Sequence, residues 1–148
     1  MKKYIFFDLD GTLADIKHRK HLVEGKKRDF ASFEHPLNIA KDGPNQSLIE
    51  LLNVLAATKK YKVILLSGRS SDARQATEDW LKQHGVVYAD LLMRPSKDYR
   101  PDEMLKRELL LSVCKPEEVL CIFDDRNKVV DMWRSLRILC CQVADGDF

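Results

Sequence analysis

An α/β fold on a parallel sheet is what this sequence predicts, and three observations carry the prediction. Short, near-continuous apolar runs recur along the 148 residues, stretches with helical periodicity separate them, and three of the runs end in polar clusters. A strand with no alternation of apolar and polar residues is buried on both faces. Strands of that kind belong to parallel sheets covered by helices on either side. The expected architecture is a Rossmann-like three-layer sandwich with about five central strands and no large cap domain.

The elements follow in order. Tyr4-Ile5-Phe6-Phe7 reads as the first strand. Asp15 to Asn45 is the one long irregular stretch, too short for a domain and long enough for a loop or small flap at about 15–45. Leu48, Leu51, Leu52 and Leu55 recur at helical spacing. Tyr61 to Leu66 is the second strand. A helix from Ser71-Asp72 buries Ala76 and Trp80 and stops at Gly85. Gly85 to Met93 holds a less regular third strand. Pro101 opens the next helix in its first turn, and that helix carries Met104, Leu105 and Leu109. Val119 to Phe123 is the fourth strand, a helix spans about Asn127 to Leu136 with Val130 and Trp133 inward, and Ile138 to Val143 is the fifth strand. No repeat, low-complexity segment or linker interrupts this order, so residues 1–148 are expected to form one domain.

Composition is that of an ordinary globular chain, with 45% hydrophobic and 32% charged residues. No apolar run is long enough for a membrane span, and Met1-Lys2-Lys3 leads straight into a strand, leaving no room for a signal peptide. Cys114, Cys121, Cys140 and Cys141 form no C-x-x-C pair. They read as reduced, buried thiols, and the expected location is cytoplasmic. A net charge of +2 is too small to argue for nucleic acid. The block from Lys17 to Arg28 is locally basic, with Lys17, Arg19, Lys20, Lys26, Lys27 and Arg28 against Glu24. It reads equally well as solvated surface or as a surface for phosphates.

Ligands of open parallel sheets bind beyond the carboxyl ends of the strands. The first strand delivers Asp8-Leu9-Asp10-Gly11-Thr12 there, the second Ser67-Gly68-Arg69 and the fourth Asp124-Asp125-Arg126. Four carboxylates, Asp8, Asp10, Asp124 and Asp125, would repel one another unless a cation lay among them. Magnesium suits an all-oxygen set that leaves it several waters. His18 and His21 are spaced for one helical turn, but their segment reads as loop, and a structural or substrate-side role outweighs metal ligation. Residues two apart on an extended chain point the same way, so Asp8 and Asp10 can serve one reaction. One carboxylate can attack phosphorus and the other can move protons. Gly11 permits close backbone approach, while Thr12 and Ser67 can donate hydrogen bonds to phosphoryl oxygens. Asp102 and Lys106 stand four apart on a helix and can pair. Lys106 is the expected cation beside Asp8, with Lys97 and Arg107 as competitors.

Asp8-x-Asp10-Gly11-Thr12, Ser67, Lys106 and Asp124-Asp125 resemble, in order, the four motifs of the haloacid dehalogenase-like phosphohydrolase superfamily. The dehalogenase branch lacks the second aspartate and the phosphotransferase branch carries it. With Arg19, Gly68, Arg69, Asp102, Arg126, Met132-Trp133-Arg134 and the stretch Gln142 to Phe148, the pattern is similar to the phosphatase domains of bacteriophage polynucleotide kinase/phosphatases. That resemblance implies magnesium-dependent removal of 3'-phosphates from nucleic acid ends, with Asp8 as nucleophile and Asp10 as acid and base. It also implies Arg19 and Arg69 near substrate, Asp102 and Lys106 in support, and Asp124 and Asp125 on the metal side. The fold implied has a central first strand flanked by the second and fourth. No G-x-x-x-x-G-K-[ST] loop occurs in these residues, so no ATP site or 5'-kinase activity is expected of them. His21 to Asn45 departs from the pattern. A small-molecule or mononucleotide phosphatase therefore stays open, as does a non-catalytic phosphate-binding module, which the Asp8 and Asp10 pair argues against.

Overall fold

Ile5, Phe6 and Phe7 have no exposed side at all, and that places their strand in the middle of the sheet. The computed structural model describes residues 1–148. Its strands are β1 (Tyr4–Phe7), β2 (Ala14–Asp15), β3 (Gly43–Pro44), β4 (Lys62–Ser70), β5 (Asp90–Arg94), β6 (Val119–Asp124) and β7 (Cys140–Gln142). Five of them form a parallel sheet in the order β5-β4-β1-β6-β7. The first strand is thus central, flanked by the second and fourth strands anticipated from the sequence.

Period two along each strand sends neighbours to opposite faces. Ile5, Phe7, Val63 and Leu65 meet Ile49 and Leu52 of α4 (Gln46–Ala57) and Trp80 and Leu81 of α5 (Arg74–Gln83). Phe6, Ile64, Leu66 and Ile122 meet Leu110 of α6 (Asp102–Val113) and Val129, Val130 and Trp133 of α7 (Asn127–Ser135). Burying each such side chain is worth about 1.5–3 kcal/mol as an upper bound, so two helix pairs on two faces supply the core. The five-stranded sheet and helices on both faces are the expected three-layer sandwich, and no large cap is present.

Local details differ from expectation. Leu51 and Met104 face solvent, and Ile49 and Leu110 take the inward positions. Pro101 caps α6 and lies outside its first turn. β4 runs on through Ser67-Gly68-Arg69-Ser70 because Ser70 pairs with Arg94 past a register shift. Gly85 adopts φ +66° just after α5, as a helix-ending glycine should. Cys114, Cys121 and Cys140 are buried free thiols, and burial pushes them up to about 11, about 11 and about 12. No helix is long and apolar enough to cross a membrane.

The stretch from Asp15 to Asn45 is not irregular. β2 and β3 pair antiparallel and close its neck. Beyond the neck lie α1 (Lys17–Lys20), a 3-10 turn (His21–Val23), α2 (Phe30–Phe33) and α3 (Pro36–Ile39). Asp29 caps α2 by accepting the Ser32 N–H, and His35 caps α3 ahead of Pro36. These four-residue helices are too short for a period to show, which is why the sequence reads as loop there.

Candidate active site

Asp8 leaves β1 at the carboxyl edge of the sheet and is buried. Its Oδ1 accepts from Lys106 Nζ at 2.9 Å and its Oδ2 from Thr12 Oγ1 at 3.1 Å. Lys106 also reaches Asp124 Oδ2 at 3.1 Å, and Trp133 Nε1 donates to the same oxygen at 3.2 Å. Carboxylate oxygens of Asp8, Asp124 and Asp125 lie within 4.8 Å of one another. Gly11, at φ +81°, brings its backbone against this group so closely that a Cβ would stand 2.0 Å from Asp125 Oδ2.

The carboxyl group of Asp10 stands apart from that triad. Its Oδ1 accepts from Arg19 Nη2 at 2.9 Å and from Arg69 Nε at 3.0 Å and Nη2 at 2.5 Å. Both arginines are buried, and Asp42 is buried behind them. Asp42 accepts from Arg19 Nε at 2.8 Å and Nη2 at 2.7 Å, from Arg69 Nη2 at 3.2 Å, and pairs with His18 Nε2 at 2.7 Å. Arg19 further donates to the Phe33 carbonyl and lies 4.3 Å from the centre of the Phe33 ring. Arg69 Nη1 donates to Thr77 Oγ1. Ser67 Oγ accepts the Arg69 N–H at 3.1 Å, which leaves its hydroxyl proton free for a ligand.

Asp102 does not pair with Lys106, four residues on. It binds Arg94 Nη2 at 2.5 Å and Arg126 Nη1 at 3.1 Å, and Arg94 Nε donates to the Gly68 carbonyl. A Cβ on Gly68 would lie 2.6 Å from Asp102 Oδ1. Asp102 therefore ties the ends of β4, β5 and β6 together, and Lys106 is left to the carboxylates. His18 sits in α1, where a loop was expected, and is spent on Asp42. Within the basic block Arg19 is buried, whereas Lys17, Lys26, Lys27 and Arg28 are exposed.

The electrostatics divide the two leading aspartates. Burial and then the charge of Asp124 push Asp8 well above the usual carboxylate range, in spite of Lys106. Burial and Asp124 likewise raise Asp125 to about 6. Burial pushes Asp10 up too, but the guanidinium groups of Arg69 and Arg19 outweigh it and hold the acid below its ordinary value. Burial opposes charge on Lys106, and Asp124 and Asp8 overcome it, so the ammonium stays charged at any physiological pH.

Three acids against one lysine is an under-neutralised set, and all of its donors are hard oxygens. That set fits magnesium. A carboxyl group raised by folding stabilises the fold below its unfolded value of 3.8 and loses that contribution as pH climbs through its folded value, about 6 for Asp125. Magnesium should therefore raise the Tm more at pH 7.5 than at pH 5, as thermal melts with and without the ion will show. Equal increments at both values would remove the triad as the ion's site.

The sequence points to Asp8, Asp10, Gly11, Thr12, Arg19, Ser67, Gly68, Arg69, Asp102, Lys106, Asp124 and Asp125, and the structure brings all of them to one end of the sheet. The Asp10 carboxylate, expected in the metal-holding set with Asp8, Asp124 and Asp125, is instead taken by Arg19 and Arg69. Sequence reasoning misses Asp42, Thr77 and Glu34. Asp42-Gly43-Pro44 looks like turn punctuation. Thr77 sits mid-helix, and Glu34 accepts the Ser70 N–H at 3.0 Å from the flap. None of the three carries a local signal. Trp133 is core, as its apolar helical position indicates, and also donates to Asp124.

A parallel sheet with an aspartate pair leaving its central strand, a lysine on it and two further aspartates at the next strand defines a haloacid dehalogenase-like phosphatase. Within that class, residues 2–148 match the model of the polynucleotide kinase PNKP phosphatase domain family, and the chain belongs to that family. A protein of Autographa californica nuclear polyhedrosis virus, named as a bifunctional polynucleotide kinase/RNA ligase, is 31% identical over 136 residues, 90% of this chain and 18% of the viral protein. A chain in the solved Pnkp1/Rnl/Hen1 RNA repair complex is 37% identical with a TM-score of 0.82, covering 100% of this chain and 44% of that one. This chain thus spans less than half the length of either relative. A Bacteroides thetaiotaomicron enzyme of the haloacid dehalogenase family, solved with magnesium and inorganic phosphate, shares the fold at 15% identity, TM-score 0.59, over 100% of this chain and 97% of that one.

Proposed function

We propose that this domain is a magnesium-dependent phosphomonoesterase that removes 3'-phosphates from DNA or RNA ends through an aspartyl-phosphate on Asp8. The observation that carries the reading is the division of labour between the two leading aspartates. Asp8 is oriented by Lys106 and Thr12 inside the acidic triad, while Asp10 is gripped by two arginines at its side. Asp8, Asp124 and Asp125 would hold the ion. When bound, magnesium offsets their repulsion and the charge of the phosphoryl group.

The chain's own groups do the rest. An Asp8 oxygen attacks phosphorus, the bond from phosphorus to the 3'-oxygen breaks, and Asp10 protonates that oxygen as it leaves. Water then attacks phosphorus, Asp10 takes its proton, the acyl-phosphate bond breaks and phosphate departs. Asp10 must carry a proton for the first step, yet the arginines keep it ionised while the site holds no phosphate. The incoming phosphate dianion competes for Arg19 and Arg69. As their grip passes to it, burial lifts Asp10 into the range of a working acid. Lys106 remains charged throughout and screens Asp8 from Asp124.

Support for a polymer end comes from the flap and from the relatives. The flap is small, with exposed Lys17, Lys26, Lys27 and Arg28 available to backbone phosphates. The viral relative and the RNA repair complex are both named for enzymes that work on polynucleotides. Phosphate release from a 3'-phosphorylated oligonucleotide should exceed that from its 5'-phosphorylated counterpart and from free mononucleotides. Faster release from mononucleotides than from either oligonucleotide would reassign the domain to small substrates.

A further inference from the structure

Val143–Phe148 lies along the turn that carries Asp124 and Asp125, and the chemistry above makes no use of it. The Val143 N–H donates to the Asp124 carbonyl, the Asn127 N–H to the Gly146 carbonyl, and Arg126 Nε to the Phe148 carbonyl at 2.8 Å. Gly146 is pressed so closely to the turn that a Cβ would stand 1.9 Å from the Asp125 carbonyl oxygen. A backbone fixed at three points delivers the Phe148 side chain to one place.

That place is the rim of the acidic site. Two residues of chain reach at most about 7 Å, so Phe148 stays close to the turn at Asp125 on which Gly146 is packed. Lys20 Nζ lies 4.2 Å from the centre of the Phe148 ring, and the Arg126 guanidinium carbon 5.5 Å from it. Lys20 follows Arg19, which holds Asp10; Arg126 follows Asp125. The ring thus spans the two banks of the site, from the flap to the end of β6. It is nevertheless 45% exposed. Core packing does not explain a large apolar ring left half in water between two cations.

A half-exposed aromatic ring with cations over its face is a means by which single strands are held: the π face takes a base as the cations pass to the backbone phosphates. We infer that Phe148, Lys20 and Arg126 form a platform for the nucleoside that bears the scissile phosphate. Its base stacks on Phe148 and its 5'-side phosphodiester draws Lys20 and Arg126 off the ring. This inference rests on the polynucleotide reading above and adds to it a base-recognition site. Stacking does not read base identity, so the platform accepts all four bases.

The test compares two 3'-phosphorylated oligonucleotides, identical except that the terminal nucleoside of one lacks its base. In kcat/KM the unsubstituted protein should prefer the intact end by about tenfold or more. Phe148→Leu should bring that preference close to one through KM, and Phe148→Trp should keep or widen it. An equal preference in the unsubstituted protein and Phe148→Leu, or no preference in the former, overturns the platform. An equal loss on both ends in Phe148→Leu also overturns it, because a strap that merely holds the flap acts without regard to the base. Release from mononucleotides with none from any 3'-phosphorylated oligonucleotide would bring down the polynucleotide reading, and the platform with it.

Discussion

Asp8→Asn is expected to abolish phosphate release, lowering turnover by on the order of 10⁴-fold or more, the scale on which loss of a covalent nucleophile acts. The substitution is nearly isosteric. The remaining carbonyl oxygen can still accept from Lys106, and the amide can donate to the Thr12 hydroxyl, so the local frame survives. Chemistry alone is removed, because an amide neither attacks phosphorus usefully nor carries the charge that ligates a cation. The fold should not suffer. Asp8 is held above its ordinary range by burial and by Asp124, so deleting its charge relieves strain in the triad. A metal-free Tm equal to or above that of the unsubstituted protein, together with no detectable phosphate release, is the paired result. Turnover near the original rate would end the assignment of Asp8 as nucleophile.

The parts of the site that were legible in the sequence are those the sheet itself assembles. Asp8, Ser67 and Asp124 each end a buried apolar run, and parallel strands put such ends on one edge. Lys106 was legible only through the order of elements, since α6 must return across the sheet beside β1. What could not be read is set by contacts without a local signature. Arg19 and Asp42 are 23 residues apart and meet because a two-residue strand pair closes the neck of the flap. Neither period two nor period 3.6 marks so short a pairing. Asp102 shows the opposite error, in which local spacing proposes a partner and tertiary structure supplies a stronger one. Arg94 and Arg126 bring planar donor forks to its carboxylate, and Lys106 goes to Asp8 and Asp124, where burial makes an unpaired charge far more costly.

The same logic gives Asp42→Ala the largest structural effect expected of any residue in the site that does not touch the reacting atoms. Asp42 is buried, and its carboxylate is the common acceptor of Arg19, Arg69 and His18. Without it two buried guanidinium groups share Asp10 as their one remaining carboxylate. Removing one partner of a buried charge network costs about 3–5 kcal/mol, because the charges left behind stay desolvated. For a chain of this size that corresponds to a Tm lower by roughly 6–20 °C. Turnover should fall as well, since Arg19 and Arg69 lose the anchor that aims them at Asp10 and at the arriving phosphate. Burial pushes Arg19 toward neutrality and its hydrogen bonds to Asp42 are the first force against that; with two such bonds against the single longer one of Arg69, this arginine of the flap is hit hardest. Asp42→Asn, which retains one acceptor oxygen, should fall between the alanine variant and the original in both Tm and kcat. Thermal melts and steady-state kinetics on the two variants decide the matter. An alanine variant with unchanged Tm and kcat would show that the flap is held, and the arginines are aimed, without Asp42.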